Sequence, residues 1–232
     1  MNKELTIVIP CKNEGRDIIK VLNLISLQKI DCQIIIADSS DREEDIAYLR
    51  HHVSRSPQLV TLVKGGLPSV ARNNGAKLVK TPYVLFLDAD IYLLKPGLLN
   101  HCLSDMKNQD YSLITCHIRT LTGEYNWIYK IFSIVQILLS KVHPIAIGGF
   151  MLFKTETFNQ LGGFNEEDKL AEDYHLSFKV KPDKFKIANY NVYTTDRRFK
   201  KKGIWYMIKI ALQSFLNRNN PEFFKDDHNY WK

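Results

Sequence analysis

Through the first half of the chain, short apolar runs alternate with stretches whose apolar residues recur every three to four positions. Residues 5–10 (LTIVIP) form a continuous apolar run ending in proline, the signature of a parallel strand buried on both faces. A helix is predicted from Glu14, with Ile18, Val21, Leu22 and Ile25 along one face. Further strands are predicted over 34–37, 59–63 and 83–87, with helices over 43–52 and 68–79 between them. Strands alternating with helical patterns imply βαβ units, so the fold class is α/β with a Rossmann-like, mostly parallel sheet flanked by helices.

The second half is less regular. Helices are predicted over 98–106, 127–142 and 204–216, and a strand over 112–116. The 127–142 segment is strongly apolar, but Lys130 and Lys141 leave only ten uncharged residues between them, too few to span a bilayer.

Charge and cysteine usage narrow the function classes. Lys and Arg total 32 against 25 Asp and Glu, a net +7. Part of the surplus is concentrated in Arg197, Arg198, Lys200, Lys201 and Lys202, a cluster suited either to phosphate groups or simply to a solvated face. Cys11, Cys32, Cys102 and Cys116 form no Cys-x-x-Cys pair, which argues against a zinc site or a disulfide framework. Free thiols and an N-terminus without a long apolar leader lead to the expectation of a cytoplasmic protein.

In open α/β sheets, ligands bind beyond the carboxyl ends of the strands. The predicted strands run into Cys11-Lys12-Asn13-Glu14-Gly15, Asp38-Ser39-Ser40-Asp41, Lys64-Gly65-Gly66 and Asp88-Ala89-Asp90. Acid, amide or glycine therefore converges on one rim. Asp88 and Asp90, directly after the apolar run YVLFL, can both reach a hard divalent cation such as Mn2+ or Mg2+.

Four segments resemble the family 2 glycosyltransferases of the GT-A fold. They are TIVIPCKNEG at 6–15, IIIADSSD at 34–41, GGLPSVARNNGAKLVKTPYVLFLDAD at 65–90, and GGFMLFKTETFNQLGGFNEEDKLAEDYHLSFKVK at 148–181. The resemblance implies an inverting, metal-dependent transfer of one sugar from a nucleotide-sugar donor, UDP-linked, to an acceptor hydroxyl. It implies that Pro10 and Glu14 line the nucleotide pocket, that Asp38 hydrogen-bonds the base, and that Arg72 contacts the nucleotide. Asp88 and Asp90 would form the metal and ribose-diphosphate site. Glu172-Asp173 matches the family's acidic pair, with Asp173 as general base and Glu172 orienting it or touching the acceptor. Gly148 and Gly149 match a small-residue segment facing the sugar, where a side chain would collide with ligand. Arg197 and Arg198, in an Arg-Arg-Phe element, would close over the diphosphate. His175 reads as a satisfied helix residue.

Residues 1–196 are accordingly expected to form the GT-A domain, with a nucleotide-binding half to 95 and an acceptor-side half beyond it. Residues 197–232 form a basic amphipathic extension. Its 197–216 stretch suits contact with an anionic membrane surface on the inner face, consistent with a glycan, lipid-linked or protein acceptor. A nucleic-acid partner is disfavoured by the acidic rim. A NAD-dependent oxidoreductase lacks its Gly-x-Gly-x-x-Gly after the first strand. A non-catalytic sugar-nucleotide-binding protein, or a basic nucleic-acid- or membrane-binding one, is the alternative.

Overall fold

The computed structural model describes residues 3–55 and 59–230. Four apolar runs become β1 (Leu5–Cys11), β2 (Cys32–Asp38), β3 (Val60–Lys64) and β4 (Tyr83–Leu87). Helices α1 (Asp17–Ser26), α2 (Glu43–Val53) and α3 (Pro68–Ala76) alternate with them. Helix α1 begins three residues later than its apolar spacing predicts, because Asn13 (φ 54°) and Gly15 (φ 52°) take left-handed conformations and hold the chain in a loop. Next come α4 (Leu98–Asn108), β5 (Leu113–Thr120) and α5 (Asn126–Ser140). They are followed by β6 (Phe150–Lys154), α6 (Thr155–Gln160), α7 (Glu172–Phe178) and β7 (Phe185–Thr194). The chain ends in α8 (Arg197–Lys202), α9 (Ile204–Leu216) and α10 (Pro221–Phe224).

The seven strands form one sheet in the order β3-β2-β1-β4-β6-β5-β7. Strands β1 to β4 are mutually parallel and β5 pairs parallel with β7, while β6 runs antiparallel between β4 and β5. Alternation along β1 sends Ile7 and Ile9 into one core cluster and Val8 into the other, so both sheet faces are covered. Helices α1 and α4 pack on the first face, while Phe86, Phe153, Phe158 and Phe164 interlock on the second.

The basic cluster is helical rather than a loose run. Phe199 of α8 is buried and stacks on Tyr125, with ring centroids 4.6 Å apart. Further on, fully buried Phe224 meets the His175 ring edge-on at 4.0 Å, and its carbonyl accepts the Lys169 N–H at 2.8 Å. Residues beyond Arg197 thus pack back onto the sheet domain.

Candidate active site

The carboxyl ends of β1, β2 and β4 open onto a cleft of about 830 Å³. Strand order reverses between β1 and β4, the place where a doubly wound sheet leaves room for a ligand. Pro10 lines it from β1 and Glu14 from the loop that follows, Arg72 from α3, Asp88 and Asp90 from just past β4, and Arg197 and Arg198 from α8. Asp38 lies just behind this lining, where its Oδ1 accepts hydrogen bonds from the Ser40 N–H (3.0 Å) and hydroxyl (2.6 Å). The serines after Asp38 tie the rim together: the Ser40 hydroxyl also accepts the Asn13 N–H at 2.9 Å, and the Ser39 hydroxyl accepts the Gly66 N–H at 2.6 Å. A Cβ on Gly65 would lie 2.8 Å from the Asp38 carbonyl carbon and 2.9 Å from the Ala37 oxygen, both backbone atoms. Gly65→Ala should therefore cost about 1–3 kcal/mol, read as a lower urea midpoint at unchanged slope.

Arg72 organises the other side. Its guanidinium is almost fully buried and donates to Asp88 Oδ1 at 2.7 Å, to Glu172 Oε1 at 2.5 Å and to the Gly148 carbonyl at 3.4 Å. One cation thereby joins β4 to the start of α7. The adjacent Asp173 accepts the Gly148 N–H on Oδ2 (2.6 Å) and the Tyr174 N–H on Oδ1 (2.8 Å). Burial pushes Asp173 above the ordinary carboxylate range, and the Arg72 guanidinium and two N–H groups offset this only in part. Glu172 is pushed up by burial too, against the pull of Arg72.

Asp90 is raised to about 6 by burial and by the nearby Asp88 and Glu14 carboxylates, against the pull of Arg198 and Arg197. Arg197 grips Glu14 with two hydrogen bonds, 3.1 and 3.0 Å, and approaches Asp90 Oδ2 at 3.6 Å. Arg198 donates to the Tyr230 hydroxyl and lies 4.5 Å over its ring. Cys11 lines the cleft, but burial and Asp38 push its thiol up to about 12, so it is not an activated nucleophile.

Among the described residues no three His, Cys, Asp or Glu side chains converge into a cage. Asp88 spends Oδ1 on Arg72, and with Asp90 presents hard carboxylate oxygens to the cleft. Magnesium-type ions are commonly held by one or two carboxylates plus substrate phosphates, so the pair fits a cation that arrives with a diphosphate.

The sequence profile described as Glycosyl transferase family 2 matches residues 6–162, well over half of the chain. The chain belongs to glycosyl transferase family 2. Chondroitin synthase of Escherichia coli is 24% identical over 189 residues, covering 76% of this chain and 26% of that protein. Poly(ribitol-phosphate) beta-glucosyltransferase of Bacillus spizizenii is 28% identical over 112 residues, 46% of this chain and 18% of that one. The match therefore spans about a quarter of the first relative's length and less than a fifth of the second's. Among solved structures, the mannosyltransferase PcManGT of Pyrobaculum calidifontis, in complex with GDP-Man and Mn2+, superposes with a TM-score of 0.67 at 17% identity, over 92% of this chain and 65% of that one. S. aureus TarS 1-349 in complex with UDP gives 0.64 at 17% identity, over 83% and 60%. The fold is that of the GT-A glycosyltransferases.

In this member of family 2, some of the candidate residues share the cleft and others are engaged by protein neighbours. Pro10, Glu14, Asp88, Asp90, Arg197 and Arg198 share the cleft. Arg72 lines it too, but its guanidinium is committed to Asp88 and Glu172. Gly148 and Gly149 are crowded by protein: a Cβ would sit 2.7 Å from Asp173 Oδ2 at the first and 2.8 Å from Ile91 at the second. Gly148 is thus required by the carboxylate that its own N–H holds. His175 is satisfied, as expected, by Asp168 at 2.7 Å. Sequence reasoning missed Tyr230 and Arg42 on the cleft wall, since nothing in their local spacing marks them, and gave Lys12 a place on the rim without a role.

Proposed function

We propose that this chain carries out a metal-dependent, inverting transfer of one sugar from a UDP-linked donor to an acceptor hydroxyl on a glycan or lipid-linked carrier. The observation that carries this reading is the Arg72 network, which sets a raised, N–H-anchored Asp173 carboxylate beside the Asp88–Asp90 rim. Asp173 takes the proton of the acceptor hydroxyl as the acceptor oxygen bonds to the anomeric carbon. The bond from that carbon to the diphosphate oxygen breaks, and its electrons leave with the nucleoside diphosphate. A single displacement inverts the anomeric centre. Raised above its usual value of about 3.9, the Asp173 carboxylate is a stronger base for the acceptor proton than an exposed one.

Arg197 and Arg198 supply charge for the diphosphate, and Glu14 holds Arg197 in place. A divalent cation held by Asp88, Asp90 and the donor phosphates would neutralise charge on the leaving group. UDP is favoured by the TarS complexes with UDP and UDP-GlcNAc, whereas the mannosyltransferase complex holds GDP-Man. Calorimetry with UDP and GDP, each with and without manganese, tests the reading. UDP should bind in a manganese-dependent way, and Asp90→Ala should weaken it by at least about tenfold, the effect of losing even an outer partner of a metal ligand. Unchanged UDP affinity in the variant with manganese would remove Asp90 from the site.

A further inference from the structure

Helix α5 is built inside out. Trp127, Ile131, Ile134, Val135, Leu138 and Val142, just past its end, lie on its outer side, each 45% or more exposed. The polar Ser133 and Gln136 are the buried members of the helix. Ser133 accepts from Arg119 at 3.2 Å, and Gln136 donates to the Ile145 carbonyl at 2.6 Å. A helix on a water-facing surface has the opposite polarity. Helix α9 adds a second apolar face, with Trp205 83%, Leu212 57% and Leu216 66% exposed. The two helices meet through α8, whose Phe199 is stacked on Tyr125 just ahead of α5 and lies edge-on to Tyr129 within it. Among the described residues, no helix is long and apolar enough to cross a membrane.

We infer that the exposed faces of α5 and α9 together form a docking surface for an anionic lipid bilayer, the two helices lying in the interface plane. Charge selects this occupant. Neither helix contains an acidic residue, and Lys130 and Lys209, both exposed, flank the apolar side chains. Lysine is depleted in protein–protein interfaces but enriched beside apolar faces that lie on anionic lipid. Trp127 and Trp205, each in the first turn of its helix, provide the aromatic anchors of a headgroup region. Helix α5, about 22 Å long at 1.5 Å per residue, suits a helix lying along the surface. Its inner side carries Tyr129, whose ring lies edge-on to the buried Phe199 of α8, the helix that brings Arg197 and Arg198 to the cleft.

Docking is read independently of transfer, so it stands or falls apart from the proposed reaction. The full chain is floated with phosphatidylcholine vesicles, with and without phosphatidylglycerol, and sedimented alone. It should float with the phosphatidylglycerol vesicles and sediment as a monomer. Ile131→Ser with Leu138→Ser should lower the partition coefficient about a hundredfold, with unchanged circular dichroism. Lys130→Glu with Lys209→Glu should lower it about tenfold or more on the anionic vesicles, by charge reversal alone. Failure of the chain to float with phosphatidylglycerol vesicles would overturn the inference. So would flotation that survives both double variants, or a dimer that Ile131→Ser with Leu138→Ser dissociates, which would make a second copy the occupant.

Discussion

Asp173→Asn is expected to leave UDP and manganese affinity within about twofold and to lower the transfer rate by about a thousandfold, the middle of the range for a lost general base. The substitution is isosteric, so any loss belongs to the proton and not to the shape of the site. Both carboxylate oxygens accept backbone N–H groups, from Gly148 and Tyr174, and an amide can serve only one of them. That exchange costs about 1 kcal/mol of stability, small beside the kinetic loss. Asp173→Glu should also be slow, because a carboxylate displaced by one methylene no longer meets the acceptor proton. The raised pKa gives a second signature. The kcat/KM of the wild type should fall with decreasing pH through a value above the ordinary carboxylate range. A group whose folded pKa is raised favours the folded state at low pH and loses that contribution as pH rises through the folded value. The difference in Tm between Asp173→Asn and wild type should therefore shift in the variant's favour as pH rises. Transfer at the wild-type rate would place the base elsewhere, and loss of UDP binding as well would make Asp173 a structural residue.

The β1 to β4 half of the fold was legible because its information is local. Each of β1 to β4 is a short apolar run, and Asp88 and Asp90 follow the last of them in the chain. Strand β6 is equally apolar, but its antiparallel place between β4 and β5 is decided by pairing across the sheet, which a linear pattern does not encode. The same holds in the site. Arg72 meets Asp88 across 16 positions and Glu172 across 100, and Arg197 meets Glu14 across 183. Resemblance could bring these residues to one site, but only the fold reveals that Arg72 is a bridge between carboxylates. In α8 the run of cations concealed Phe199, the buried residue that fastens it. In α5 the spacing marks an apolar stripe without saying which way it faces, and it faces outward.

Arg72→Met should be the most destabilising change at the site. Methionine fills the volume of the side chain but leaves Glu172 buried without its cation and Asp88 without its partner. Removing one member of a buried pair costs about 3–5 kcal/mol, which for a chain of this size lowers Tm by about 6–20 °C. The pH dependence separates this cause from simple loss of packing. Without the guanidinium, burial and the neighbouring Asp173 push Glu172 higher still, because the pull of Arg72 against them is gone. A carboxyl raised in the folded state favours folding below its ordinary pKa and loses that benefit as pH rises through the folded value. The deficit of Arg72→Met relative to wild type should therefore be largest at neutral and alkaline pH and should shrink on acidification. Arg72→Met combined with Glu172→Gln should recover much of the stability at pH 7, since it removes the uncompensated charge. A deficit that is independent of pH and untouched by Glu172→Gln would mean that Arg72 stabilises the rim through contacts of its aliphatic stem, and that its bridge between Asp88 and Glu172 contributes little.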